Sequence, residues 1–188
     1  MVKSIVVKST DFFISRSKMK NHPNFKKING NKIAEEIISD EVKRPARTGN
    51  AYKHTKTGYR KDIDLNVRSN WEANFVRILN AYKIKHEFEP TVFSFPIKKG
   101  VKGYTPDFYL CATDEWVEMK GYLDPKSKTK IKRFKRYYPK EFEKFTCIIS
   151  KYAKDAVEFL NELGVPNIVY YEDIRSEYSE NIIYWEGK

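Results

Sequence analysis

Asp107, Glu118 and Lys120 lie within one short stretch, residues 106–121, that reads Pro-Asp-Phe-Tyr-Leu-Cys-Ala-Thr-Asp-Glu-Trp-Val-Glu-Met-Lys-Gly. Two carboxylates offer hard oxygen ligands to a divalent cation. An ammonium beside them offers positive charge to a phosphate under attack. Together they outline a phosphodiester-cutting site, provided that the chain folds them to one place.

A hairpin would do so. With Thr113 and Asp114 as a two-residue turn, Asp107 falls opposite Lys120 and Tyr109 opposite Glu118. Side chains alternate between the faces of a strand, so Asp107, Tyr109, Cys111, Trp116, Glu118 and Lys120 share one face. Phe108, Leu110, Val117 and Met119 share the other, which is wholly apolar and is the expected core face. A slip of one residue would scatter the charged groups. An amphipathic hairpin with a solvated ion pair has the same pattern.

Upstream, Ser69-Asn70-Trp71-Glu72 opens a segment with apolar residues at Trp71, Phe75, Ile78, Leu79 and Tyr82, the spacing of an amphipathic helix. Glu72 stands at the edge of that stripe. Ser-x-x-Glu is also the capping-box pattern, in which the Glu carboxylate satisfies a backbone donor. The chain alone leaves both roles open, helix cap and third acidic group.

The ordered blocks Ser-x-x-Glu, Ile84-Lys85-His86-Glu87-Phe88-Glu89, Tyr104-Thr105-Pro106-Asp107-Phe108 and Val117-Glu118-Met119-Lys120-Gly121 resemble the PD-(D/E)xK nuclease superfamily. Within it, they look most like the phage endonuclease I type that resolves Holliday junctions. The likeness covers about residues 68–150. It implies a restriction-endonuclease-like mixed α/β sheet flanked by helices. Asp107 and Glu118 would then be metal ligands with the Met119 backbone carbonyl, Lys120 the catalytic lysine, and Glu72 the acidic residue of the first helix. Glu87 falls where that type carries an accessory acid. Residues 1–65 have no counterpart in it, and the spacing from Asp107 to Glu118 is one residue longer.

The implied cofactor is Mg²⁺, with Mn²⁺ able to substitute. Such an ion keeps several waters and needs only one or two protein carboxylates beside the substrate phosphate. It polarises a phosphoryl oxygen and lowers the pKa of a bound water.

Charge agrees with a DNA partner. The 188 residues carry 36 Lys and Arg against 25 Asp and Glu, a net +11. Residues 43–61 hold seven basic residues, including Arg47, Lys53, Lys56, Arg60 and Lys61, and no acidic one. With Pro45, Gly49 and Gly58 this stretch reads as an extended arm that would clamp DNA or cross to a second subunit. After Lys120, Asp124-Pro125 is a helix start. Lys126, Lys128, Lys130, Lys132, Arg133, Lys135 and Arg136 then surround a narrow apolar stripe of Ile131, Phe134 and Tyr138, giving a basic helix expected to contact phosphates.

Further along, residues 88–97 read as a strand interrupted by Pro90 and Pro96, 145–150 as a buried strand, 153–163 as a helix ended by Gly164, and 167–171 as a strand. In the N-terminal third, residues 4–7 suggest a brief strand and 31–39 a helix. The expected organisation is a 1–65 extension with a basic arm, a 66–175 nuclease core and a 176–188 tail that either docks or frays.

Other chemistries fit poorly. Cys111 and Cys147 stand singly and read as small buried hydrophobes. His22, His54 and His86 lack ligand spacing. No glycine-rich phosphate loop appears, so no nucleotide cofactor is expected. With no apolar run near ~20 residues and no signal-peptide layout, the expectation is a cytoplasmic protein, phage-encoded in a bacterial host. Paired cuts at a junction would favour a homodimer. A homing or transposon-type endonuclease and a non-catalytic DNA-binding protein are the competing readings.

Overall fold

The computed structural model describes residues 57–183. The expected strand at 4–7, the helix at 31–39 and the arm residues Arg47, Lys53 and Lys56 lie outside that range. Within it, a short hairpin of β1 (Gly58–Arg60) and β2 (Leu65–Val67) leads into helix α1 (Asn70–Ala81). This hairpin pairs across the expected 65/66 boundary. Arg60 turns back onto the Gly58 carbonyl at 3.2 Å, and Lys61 is exposed in the turn.

Five strands make the main sheet, in the order β3 (His86–Phe88), β6 (Phe108–Leu110), β7 (Glu115–Lys120), β8 (Phe145–Ile149), β9 (Asn167–Tyr170). The β3–β6 and β6–β7 pairs are antiparallel, and β7–β8 and β8–β9 are parallel. Parallel neighbours need crossovers. These are α2 (Pro125–Tyr137) with the short α3 (Pro139–Phe142), and α4 (Lys154–Leu163). The protein is thus mixed α/β, with a mixed five-stranded sheet flanked by helices.

Local chemistry sets the helix limits. The Asp124 carboxylate accepts from the Ser127 N–H at 2.6 Å with Pro125 in the first turn, as the sequence predicts. Gly164 closes α4 at φ +70°, a left-handed conformation that suits glycine.

The predicted strand over 88–97 is instead two pieces. β3 ends at Phe88, and β4 (Phe93–Ser94) turns away to pair with β5 (Gly103–Tyr104) in a separate hairpin. Pro90 and Pro96, lacking amide donors, break the run. That hairpin lies over the sheet, where Phe93 packs edge-on against Trp116 and close to Phe134.

Both sheet faces are therefore covered. Phe108, Leu110, Val117 and Met119 are buried, with Phe75 of α1 meeting Phe108 edge-to-face. On the other side Trp116, Phe145, Cys147 and Ile149 pack with Tyr104, Ile131, Phe134 and Phe159. At the C-terminal side, α5 (Tyr171–Glu177) and the following turn dock on α1. There, Trp71 stacks on Tyr171, and the Asn74 amide bonds both to the Tyr171 hydroxyl and to the Ile183 carbonyl.

Candidate active site

The β6–β7 pairing differs from the predicted one. Phe108 faces Val117, Tyr109 faces Trp116 and Leu110 faces Glu115, so residues 111–114 form a four-residue loop. Asp114 takes φ +57° there, and its carboxylate pairs with Lys144. The register is two residues away from that of a turn centred on Thr113 and Asp114. An even shift leaves every side chain on its expected face. Its effect is to bring Asp107 level with Glu118 rather than with Lys120.

The site lies at the end of the sheet where β6 begins and β7 ends. Lys120 Nζ is 2.9 Å from Glu118 Oε1 and 3.8 Å from Asp107 Oδ2. Asp107 Oδ2 also accepts the Met119 N–H at 2.7 Å. Tyr104, carried by the β4–β5 hairpin, donates its hydroxyl to Glu118 Oε2 at 2.8 Å. Asp107 is 2% exposed and Glu118 4%, so the face expected to be solvated is roofed. Covering by the β4–β5 hairpin and α2 is the reason, and strand alternation carries no sign of it.

Burial so deep makes charge costly. Desolvation, then the Glu118 carboxylate, hold the Asp107 carboxyl well above the usual carboxylate range, against the pull of Lys120 and the Met119 N–H. Burial works to lower the Lys120 ammonium, yet Glu118 and Asp107 outweigh it and hold the lysine above its ordinary value. Tyr104 is pushed well up by burial and by both carboxylates, so its hydroxyl stays a donor.

Glu72 is the helix cap, one of the two roles that the sequence offered. As a cap, its Oε2 accepts from the Arg68 N–H at 2.8 Å and its Oε1 from the Ser69 hydroxyl at 2.9 Å, while its own N–H donates to Ser69 Oγ at 3.2 Å. It is also buried, and its charge raises the proton affinity of Asp107 and of Lys120. Glu87 is exposed on β3 opposite Tyr109, with the Cys111 thiol 4.0 Å away, and it takes no part in the contacts joining Asp107, Glu118 and Lys120. The acid beside Asp107 is Glu89, whose N–H donates to the Asp107 carbonyl at 2.9 Å. Its carboxylate pairs with Arg68 at 2.5 Å from a backbone at φ +46°.

Cys147 lies directly beside Glu118 in the neighbouring strand, fully buried, with its thiol pushed up by burial and by Glu118. Cys111, expected to be buried, is only half-buried, because it begins the exposed loop. His86 points Nδ1 at the Ile84 carbonyl, 2.9 Å away, and His22 and His54 lie outside the described residues.

Asp107 and Glu118 can present oxygen ligands, and the N–H and C=O of one strand residue face the same side, which aims the Met119 carbonyl toward Asp107. Among the described residues no group of three or more His, Cys, Asp or Glu side chains is placed to hold a metal ion. An open donor set of two carboxylates and a carbonyl, completed by water and phosphate, suits Mg²⁺ rather than a structural metal. Asp107, which burial and Glu118 hold back from ionisation, would also gain from a divalent charge beside it.

The α2 cations divide. Lys128 and Lys132 lie over the Phe159 ring, and Arg136 lies over Tyr137. Lys135 donates to the Leu163 carbonyl at 2.6 Å, and Arg133 to the Val101 carbonyl at 2.5 Å. Lys126 and Lys130 line a groove beside the β4–β5 loop.

Comparison with protein-family models, with curated proteins and with solved structures found no match to this chain. No described helix is long and apolar enough to cross a membrane.

Tyr104 is the site residue that sequence reasoning passed over. It stands three places before Asp107, but its role depends on the long β4–β5 hairpin folding back, which no local pattern announces.

Proposed function

We propose that this chain is a Mg²⁺-dependent DNA endonuclease of the PD-(D/E)xK kind with a restriction-endonuclease-like core, acting on branched DNA in the manner of a Holliday junction resolvase, or as a nickase. The observation that carries this reading is the Lys120 ammonium standing between two buried carboxylates that meet across adjacent strands. Asp107, Glu118 and the Met119 carbonyl would hold the ion, with Mn²⁺ able to replace Mg²⁺. Bound there, the ion supplies a polarised phosphoryl oxygen and a water acidic enough to attack at neutral pH.

The protein's own groups do the rest. To hold the ion, Asp107 would have to be ionised, as any carboxylate metal ligand is. Lys120, protonated throughout, is released from the carboxylates and turns its charge to the scissile phosphate, where negative charge grows. Tyr104 fixes the Glu118 carboxylate by Oε2, so Oε1, which holds Lys120, would be the oxygen to ligate once the lysine moves off it. Glu72 adds negative field and holds the start of α1 in place. A homodimer would cut both strands of a junction, by symmetry.

The test is cleavage of four-way junction, flap and linear duplex by the full chain in Mg²⁺, with EDTA and Lys120→Ala as controls. Nicking that vanishes in EDTA, and in Asp107→Asn or Glu118→Gln while DNA binding survives, is the expected result. An Asp107→Asn protein that still cuts at the normal rate would remove the assignment. Junction preference over duplex decides between a resolvase and a sequence-reading endonuclease.

A further inference from the structure

Residues 98–103 read Lys-Lys-Gly-Val-Lys-Gly and run from the β4–β5 connection into Gly103, the first residue of β5. The stem is held by Phe95 N–H to the Lys102 carbonyl at 2.7 Å, and by the Tyr138 hydroxyl to the Ser94 carbonyl at 2.6 Å. Arg133 of α2 spends its guanidinium on the Val101 carbonyl, fixing the loop against the helix. Gly100 sits at φ +86°, a conformation that a side chain would strain, so the tight tip depends on glycine. Between loop and helix runs an open groove of about 630 Å³, lined by Gly100, Val101, Lys102, Gly103, Lys126 and Lys130.

The charge in this groove is unbalanced. Residues 90–106 contain no Asp or Glu, and neither do residues 125–137. Lys126 and Lys130 are one helical turn apart on the same face. Among the described residues neither ammonium has a protein partner, unlike the cations that α2 turns onto Phe159, Tyr137 and backbone carbonyls. Lys102 lines the opposite wall, and Lys98 and Lys99 are exposed in the same loop just before it. Like charges on two facing walls repel until a polyanion lies between them.

The groove is joined to the candidate site at both walls. Gly103 directly precedes Tyr104, whose hydroxyl holds Glu118. Asp124, the cap of α2, lies close enough to Lys120 for that charge to lower its proton affinity, after the stronger effect of the Ser127 N–H.

We infer that the 98–103 loop and the Lys126 and Lys130 face of α2 form a track for one sugar-phosphate strand of DNA, leading it to or from the bond between Asp107 and Glu118. This rests on the endonuclease reading and adds Lys98, Lys99 and Lys102 as phosphate contacts. It also narrows the work of α2 to Lys126 and Lys130.

Fluorescence anisotropy of a labelled four-way junction and a labelled duplex, with the full chain in EDTA so that nothing is cut, tests the track. Lys98→Ala/Lys99→Ala/Lys102→Ala and Lys126→Ala/Lys130→Ala are compared with the control Lys85→Ala/Lys140→Ala, which matches the second in charge, and each loss is taken per charge removed. Both control lysines are exposed at the far end of the sheet. Each groove variant should bind at least about 10-fold more weakly at moderate salt and lose roughly 0.9 of salt slope per duplex phosphate released. The control should stay within about 2-fold, and all three proteins should melt with the wild type.

Equal losses in control and groove variants mean that net charge alone binds DNA, and overturn the track. A wild type that cuts in Mg²⁺ while the loop variant binds normally also overturns it and leaves the endonuclease standing. A wild type that binds through the groove yet never cuts in Mg²⁺ sinks the endonuclease and keeps the track.

Discussion

The Tyr104 hydroxyl donates to Oε2 of Glu118 at 2.8 Å, and because Glu118 Oε1 is taken by Lys120 the carboxylate is held at both ends. Tyr104→Phe removes one oxygen and keeps the ring against Phe134 and Phe145. Partners that orient a metal ligand are worth roughly 10- to 100-fold in metal affinity or activity. Single-turnover cleavage should fall by that factor and recover in part at high Mg²⁺, with DNA affinity unchanged. Wild-type cleavage at low Mg²⁺ would show that Tyr104 is only packing.

Asp107 makes the metal-free protein sensitive to pH. Burial and Glu118 raise its pKa in the folded chain, so folding takes up a proton that the unfolded carboxyl has released. Stability is then fullest below the unfolded value and falls as pH rises from there through the folded value. In EDTA, the wild type should melt lower at pH 8 than at pH 5.5. Asp107→Asn should weaken that dependence and stabilise the protein at pH 8, because an amide there carries no desolvated charge beside Glu118. Mg²⁺ should raise the melting temperature of the wild type and leave that of Asp107→Asn unchanged. A variant less stable than wild type at pH 8 would contradict this account of Asp107.

Ser69 and Glu72 separate the two uses of one carboxylate. Ser69→Ala deletes the cap hydroxyl and keeps the Glu72 charge, at a cost of about 1 kcal/mol. Its cleavage rate should stay within about 3-fold of the wild type once the protein is folded. Glu72→Gln keeps an acceptor for the Arg68 N–H and loses the field on Asp107 and Lys120, so its rate should fall further than that of Ser69→Ala. Matching rates in the two variants would reduce Glu72 to a cap.

Much of this was legible in the chain because it is local. The α2 start at Asp124-Pro125, the end of α4 at Gly164 and the buried run of β8 follow from neighbours along the sequence. The faces of β6 and β7 survived a wrong register because the error was even. What stayed hidden is non-local. The two prolines between Phe88 and Ile97 signal a break but not where the broken piece lands, so neither the roof over Trp116 nor the hydroxyl on Glu118 could be read. That the Glu89 backbone lies beside Asp107 could not be read either, because the β3–β6 pairing joins strands about twenty residues apart. The seven cations of α2 look alike in sequence, and only the packing of Phe159, Tyr137 and Val101 sorts them.

Lys120 supplies the positive charge that the two carboxylates need when no metal is bound. Lys120→Met should destabilise the metal-free protein by roughly 3–5 kcal/mol at pH 8, the cost of leaving a buried partner unpaired. The loss should shrink as pH falls, because burial and Glu118 make Asp107 take up its proton at higher pH than an ordinary carboxyl. If the ion occupies the place between the same carboxylates, Mg²⁺ must return more stability to Lys120→Met than it adds to the wild type, while cleavage stays absent. Melting curves at pH 8 and at lower pH, with Mg²⁺ or EDTA, measure every part of this. An equal Mg²⁺ increment in the two proteins would mean that lysine and metal do not share the Asp107 and Glu118 oxygens, and the metal would have to be sought elsewhere on the chain.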